Sequence, residues 1–101
     1  KIEICGEKTG DKVWEMPLDE EYDKMLNTEI ADMKNIGPPG AGSVTAACFL
    51  KRHIINNTPW AHLDIAGVTW LNAATETTPA GGAGWGVKLL FKLVNEFDYK
   101  L

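Results

Sequence analysis

Residues 60–67 read Trp-Ala-His-Leu-Asp-Ile-Ala-Gly, and they carry the clearest strand signal in the chain. From Leu63 to Val68 the run is apolar except for Asp64. Strands that are buried on both faces in α/β proteins have this pattern. The sequence therefore predicts a buried strand over residues 60–67, with neighbouring strands on both sides.

Two helices are predicted before this strand. Asp19 is a suitable N-cap, and it is followed by acidic residues that the helix dipole favours. The apolar residues around it repeat at helical spacing: Leu18, Tyr22, Met25 and Leu26. Ser43 is predicted to cap a second helix, which reaches Ile55. Its residues 44–50 are small and apolar nearly all round, so we expect this half to be buried.

A last helix follows the strand, and its predicted apolar stripe is formed by Val87, Leu90, Phe91, Val94 and Phe97. Residues 13–16 and 30–33 are weaker strand candidates, the first ending at Pro17. The segments 35–42 and 72–86 are rich in glycine, proline or threonine and are predicted to be loops.

Strands that alternate with helices predict an α/β fold, with few strands and with helices packed on them. Three candidate strands are few for an independent domain of this class. The chain begins with Lys1 and carries no signal peptide. We therefore expect residues 1–101 to be a fragment of a larger α/β domain.

The composition excludes several classes of protein. The chain has 101 residues, 45% of them hydrophobic and 24% charged, which is enough apolar material for a folded core. Its net charge of −4 and its lack of a basic run argue against nucleic acid or an anionic membrane as partner. No apolar stretch approaches the roughly 20 residues that span a bilayer. Cys5 and Cys48 are predicted to be free thiols in a reducing compartment, with Cys48 in the core.

His62 and Asp64 are the most suggestive ionisable pair, because residues two apart on a strand point to the same face. One interpretation is a metal-binding or catalytic pair, although zinc would require a third protein ligand. The other is a buried histidine–carboxylate hydrogen bond that holds the strand in place. The further aspartates have no spacing that singles one out as a ligand: Asp11, Asp19, Asp23 and Asp32.

The glycine-rich segment from Gly37 to Ser43 resembles a phosphate-binding loop but lacks its lysine. It is compatible with a nucleotide site or, more simply, with close backbone packing at the glycines. Ser43 is the single serine and has no G-x-S-x-G setting. Cys48, in an apolar helix, is expected to be protonated and inert. The residue chemistry alone thus assigns no catalytic residue.

Three ordered blocks resemble the C-terminal part of the leucyl (cytosol) aminopeptidase family. They are Ala-Asp-Met-Lys-Asn-Ile-Gly at 31–37, Thr-Ala-Ala-Cys-Phe-Leu at 45–50, and residues 60–67. Residues 13–18 and the Gly-Ala-Gly at 82–84 are also similar to that family. The resemblance covers essentially the whole chain, and it implies the C-terminal portion of an α/β metallo-exopeptidase catalytic domain.

The resemblance implies a cytoplasmic homo-hexamer that releases N-terminal, leucine-like amino acids from peptides. Two divalent ions, manganese or zinc, activate a water and polarise the peptide carbonyl in such enzymes. The family's metal ligands and its catalytic lysine and arginine lie upstream of the matched region. Its signature Asn-Thr-Asp-Ala-Glu-Gly-Arg-Leu is absent, and residues 27–31 only echo its opening. No metal or catalytic role is therefore assigned, and the chain alone is expected to be inactive.

Two positions match the family's pocket for the substrate's N-terminal side chain, namely Ala66 and Thr69. A pocket there suits α/β sheets, which bind ligands beyond the carboxyl ends of their strands. The small Ala66 leaves room for a leucine-sized group, and Thr69 argues against a strict preference for leucine. The alternative role is structural, a strand end that packs on a loop. The alternative for the whole chain is a stand-alone binding or scaffold module without catalysis.

Overall fold

The computed structural model describes residues 1–97. The elements in chain order are α1 (Ile2–Thr9), α2 (Glu20–Lys24), α3 (Gly42–Lys51), β1 (Trp70–Leu71), β2 (Gly81–Gly82) and α4 (Val87–Glu96). The chain divides into two compact units. Unit 2 is the continuous segment Met16–Asp64, and unit 1 combines Lys1–Glu15 with the residues from Ile65 onward. Helices with a small sheet agree with the predicted α/β fragment of few strands.

Unit 2 is built on the pair α2 and α3. As predicted, α2 begins directly after Asp19, whose backbone is extended. The start of α3 differs from the prediction: Ala41, with a φ of 50°, precedes the first helical residue, so Ser43 lies inside the first turn. The helix also ends at Lys51 instead of Ile55, because the N–H groups of His53 and Ile54 donate to carbonyl oxygens three residues back rather than four.

The core of unit 2 confirms the predicted helix faces in part. Leu26, Val44 and Cys48 are buried together, and Leu18, Tyr22 and Phe49 pack against them. Met25 is 38% exposed, so it does not belong to this face. The free thiol of Cys48 is buried as expected.

Unit 1 contains a helix that the sequence analysis did not predict. α1 ends at Gly10, which takes a φ of 83° and donates its N–H to the Gly6 carbonyl oxygen. This helix packs against α4, and Cys5 and Leu89 are both completely buried.

The predicted apolar stripe of α4 is not the face that packs on α1. Leu89 is the buried residue of this helix, whereas the residues of the predicted stripe are exposed: Val87, Leu90, Phe91 and Val94. Phe97 lies just beyond the helix end and is half-buried. The physical reason is that α1 packs on the other side of α4 from the stripe. No described helix is long and apolar enough to cross a membrane.

All three predicted strands are absent from the described residues. Residues 13–16, 30–33 and 60–67 are irregular, with Trp14 86% and Ile30 95% exposed. A strand persists only where another strand satisfies its backbone groups, and none pairs with these segments. The pairing that does form is antiparallel, between β1 and β2, and it falls partly inside the predicted loop 72–86.

Candidate functional site

The two predicted pocket residues lie at a tight turn of unit 1. Ala66 lies inside the turn, in which the Val68 N–H donates a 3.0 Å hydrogen bond to the Ile65 carbonyl oxygen, and Thr69 directly follows it. Both are exposed, and β1 begins directly after Thr69. The side chains of these two residues are therefore accessible in this chain.

A glycine-rich segment is fixed beside this turn. The Ala83 N–H donates a 2.8 Å hydrogen bond to the Thr69 carbonyl oxygen, which extends the pairing of Trp70 with Gly82. Gly81 takes a φ of 106°, a conformation that L side chains rarely adopt. The sequence resemblance included this Gly-Ala-Gly, but only the structure places it against Thr69.

The turn and its paired segment form one surface, which we call the turn–glycine surface (residues 65–71 and 81–86). None of these residues has an ionisable side chain. General acid–base catalysis requires such a group within hydrogen-bond reach, so this surface cannot supply it. It can accommodate an apolar group, because its side chains are apolar or, at Ala66 and Thr69, small.

Asp11 supports the same unit through a role that the sequence analysis did not identify. Its side chain is buried, and its Oδ2 accepts a 3.1 Å hydrogen bond from the Leu89 N–H. Leu89 is the third residue of α4, where a side-chain oxygen satisfies an otherwise unpaired helix N–H. Asp11 is thus a helix cap supplied from a distant part of the chain.

A charged cluster in unit 2 joins α2 to the end of α3. The Arg52 guanidinium donates two 2.8 Å hydrogen bonds to the Asp23 carboxylate, one from Nε and one from Nη2. It also donates to the Asp23 carbonyl oxygen and to the Asn27 side chain. The hydrogen bond from Arg52 lowers the pKa of Asp23. This cluster is a structural clamp between helices, since Nε and Nη2 of Arg52 both bind groups of α2 or of the residues just after it.

The other residues considered for catalysis or metal binding do not form a site together. Burial raises the pKa of the Cys48 thiol, which keeps it protonated at neutral pH, as expected. His62 is half-buried and stacks on Trp60, with ring centroids 6.3 Å apart, while Asp64 is exposed. No strand forms at residues 60–67, so the prediction that His62 and Asp64 share a strand face is wrong. The alternative prediction of a buried histidine–carboxylate pair is also wrong, because Asp64 is exposed.

The described residues also lack the ligands of a metal centre. Across residues 1–97, no group of three histidine, cysteine, aspartate or glutamate side chains could hold a metal ion. Of the aspartates considered as ligands, Asp11 caps α4 and Asp23 binds Arg52. In the glycine-rich segment, a Cβ on Gly37 would lie 3.0 Å from Thr45, so close packing explains this glycine.

A sequence model described as the cytosol aminopeptidase family, catalytic domain, matches residues 1–91. A probable cytosol aminopeptidase from Xanthobacter autotrophicus is 52% identical over 96 residues, 95% of this chain and 19% of the relative. One from Rickettsia felis is 53% identical over 99 residues, 96% of this chain and 20% of the relative. The chain thus spans about a fifth of the length of these relatives.

Solved structures agree with this match. The cytosol aminopeptidase of Coxiella burnetii superposes with a TM-score of 0.82 at 32% identity, over 95% of this chain and 21% of that one. A mutant of tomato leucine aminopeptidase superposes with a TM-score of 0.77 at 35% identity, over 90% of this chain and 17% of that one. The α/β fragment predicted from the sequence is therefore confirmed at the level of the fold. Both in sequence and in structure, the chain belongs to the cytosol aminopeptidase family.

Proposed function

We propose that this chain forms the C-terminal part of the catalytic domain of an aminopeptidase that releases leucine-like N-terminal residues from peptides. One observation carries the proposal: a catalytic-domain model matches residues 1–91, although the chain spans about a fifth of its relatives. The parent enzyme is proposed to be a cytoplasmic homo-hexamer, as the family resemblance implies.

The metal ions of the parent are proposed to bind residues outside this chain. The resemblance implies two divalent ions, manganese or zinc, and residues 1–97 offer no group of ligands for even one. When bound, such ions supply an activated water and polarise the carbonyl under attack. The chain alone is accordingly proposed to be inactive, and its own contribution is to bind and orient the substrate.

The turn–glycine surface is proposed to supply that contribution. Ala66 and Thr69 are exposed, and the hydrogen bond from Ala83 to Thr69 fixes the segment beside them. A largely apolar surface without ionisable groups suits an apolar side chain of the substrate. We propose that Ala66 and Thr69 line the pocket for the N-terminal residue of the peptide.

The proposal is tested with a chimera in which this chain replaces the matched segment of the Xanthobacter relative. Hydrolysis of leucine p-nitroanilide with Mn²⁺ is measured for the chimera, the parent, the parent lacking the segment, and this chain alone. We expect activity from the parent and the chimera only. Activity of this chain alone would refute the proposal. A folded but inactive chimera beside an active parent would favour the non-catalytic binding module.

The pocket assignment is tested separately in the chimera. Ala66→Leu fills the space proposed for the substrate side chain, so the ratio of kcat/KM for leucyl over alanyl substrates should fall by about tenfold or more. Ala74→Leu is the matched control, because Ala74 is also exposed and lies outside the turn–glycine surface. An unchanged ratio for Ala66→Leu would remove this residue from the pocket.

A further inference from the structure

The proposed function leaves an apolar stripe on α4 unexplained. Four side chains form it, with exposed fractions from 49% to 72%: Val87, Leu90, Phe91 and Val94. They follow the spacing i, i+3, i+4 and i+7, which places them on one side of the helix. We call this surface the α4 stripe.

The other side of α4 is already occupied. Leu89 is completely buried, α1 packs against this helix, and Lys8 of α1 forms a 3.1 Å ion pair with Glu96. A helix that is apolar on both sides is typical of an element enclosed within a larger core. The α4 stripe therefore has the character of an interface, since contiguous exposed apolar patches mark such sites.

The edge of the stripe is basic. A shallow groove along it is lined by Lys8, Thr9, Val87, Lys88, Phe91 and Lys92. Glu96 contacts two of these lysines, Lys8 at 3.1 Å and Lys92 at 2.6 Å, so the three lysines of the groove are accompanied by one carboxylate that pairs with two of them. A second copy of this chain, packed through the same surface, would bring like charges to the shared edge. The surface instead suits an apolar partner with acidic side chains at its rim.

We propose that the α4 stripe packs against the remaining part of the aminopeptidase catalytic domain, on an apolar surface with an acidic rim. This inference rests on the proposed function. The family match supports the inference, because the matched residues 1–91 include Val87, Leu90 and Phe91. The length of the relatives also supports it, because this chain spans only about a fifth of them. Charge complementarity with the lysines of the groove favours the same partner over a second copy.

The test measures thiol accessibility at position 91. Phe91→Cys is introduced into the chimera and into this chain, each is treated with N-ethylmaleimide, and labelling is followed by peptide mass spectrometry. The native Cys5 and Cys48 are buried, so they give little background. Glu7→Cys is the control, because Glu7 is exposed on α1 and belongs neither to the α4 stripe nor to its groove.

We expect labelling at position 91 to be about tenfold or more slower in the chimera than in this chain, with position 7 labelled at similar rates in both. Equal rates at position 91 in an active chimera would overturn the inference and leave the proposed function intact. An inactive chimera with position 91 protected would overturn the proposed function and support the packing. Protection of position 91 in this chain alone would also overturn the inference. If that protection increased with the concentration of this chain, the α4 stripe would be assigned to contact with a second copy.

Discussion

Replacing Asp11 with alanine should destabilise unit 1 by removing the cap of α4. The Asp11 carboxylate is 6% exposed and lies 3.1 Å from the Leu89 nitrogen. Loss of a side-chain cap costs about 0.5–2 kcal/mol. Because Leu89 is completely buried, its N–H would lose its partner away from water, which costs about 1–3 kcal/mol. Both values describe the same lost hydrogen bond, so we expect a total of about 1–3 kcal/mol.

The assay is urea unfolding of this chain, followed by far-ultraviolet circular dichroism. Asp11→Asn keeps an oxygen acceptor, while it loses the charge and replaces the other oxygen by an NH2 group, so it should cost less than Asp11→Ala, about 0.3–1 kcal/mol. Glu7→Ala, at an exposed acidic side chain of the same unit, should leave the unfolding midpoint unchanged. If Asp11→Ala also unfolds at the wild-type midpoint, Asp11 does not stabilise α4 and the reasoning is wrong.

Two further predictions concern unit 2. Gly37→Ala should cost about 1–3 kcal/mol, because the new Cβ would lie 3.0 Å from the Thr45 Cβ and Cγ2; urea unfolding measures this. The pKa of Asp23 is lowered by its hydrogen bond with Arg52, so this pair stabilises the fold above the unfolded carboxyl pKa of about 3.9. Its contribution is lost as the pH falls through the lower folded pKa, so wild type and Asp23→Asn should differ at neutral pH and converge in acid.

Each of these two predictions has its own control. Gly42→Ala should be neutral or slightly stabilising, since its Cβ would meet no atom within 4 Å. A loss of stability equal to that of Gly37→Ala would contradict the packing argument. The Asp23 effect should be small, because its side chain is 42% exposed and solvent screens the pair. A difference from Asp23→Asn that persists below the folded pKa would point to another cause.

Local signals in the sequence were sufficient for the helices of unit 2. Asp19 and the acidic residues after it correctly predicted the start of α2, although the Asp19 side chain makes no capping hydrogen bond, and the apolar run of α3 correctly predicted a buried Cys48. The same kind of signal is present for α1: Glu3 lies in its first turn, Lys8 in its last, and Gly10 ends it. α1 lacks an apolar stripe of clear period, so its end signals were the available indication.

The strands could not be predicted because pairing depends on what lies beside them. Residues 60–67 have a strong apolar pattern, yet no strand pairs with them within residues 1–97. β2 shows the opposite case, because Gly81 and Gly82 have low strand propensity and pair with β1 regardless. Strand formation in this chain therefore depends on available partners more than on residue type.

The candidate site was predicted only through family resemblance. Ala66 and Thr69 are small residues in an apolar setting, and no elementary chemistry distinguishes them from a packed strand end. The roles of the aspartates depended on distant partners in the chain. Asp11 binds a residue 78 positions away and Asp23 one 29 positions away, distances at which sequence spacing carries no information.

The cap of α4 by Asp11 has a consequence for the order of folding. Unit 1 joins two segments of the chain across the whole of unit 2, and its cap closes a loop of 78 residues. The clamp of unit 2 closes a loop of 29. Loop-closure entropy makes the longer closure less favourable by about 1 kcal/mol. We therefore expect unit 2 to form first. Its formation should then lower the entropy cost of closing the 78-residue loop in unit 1.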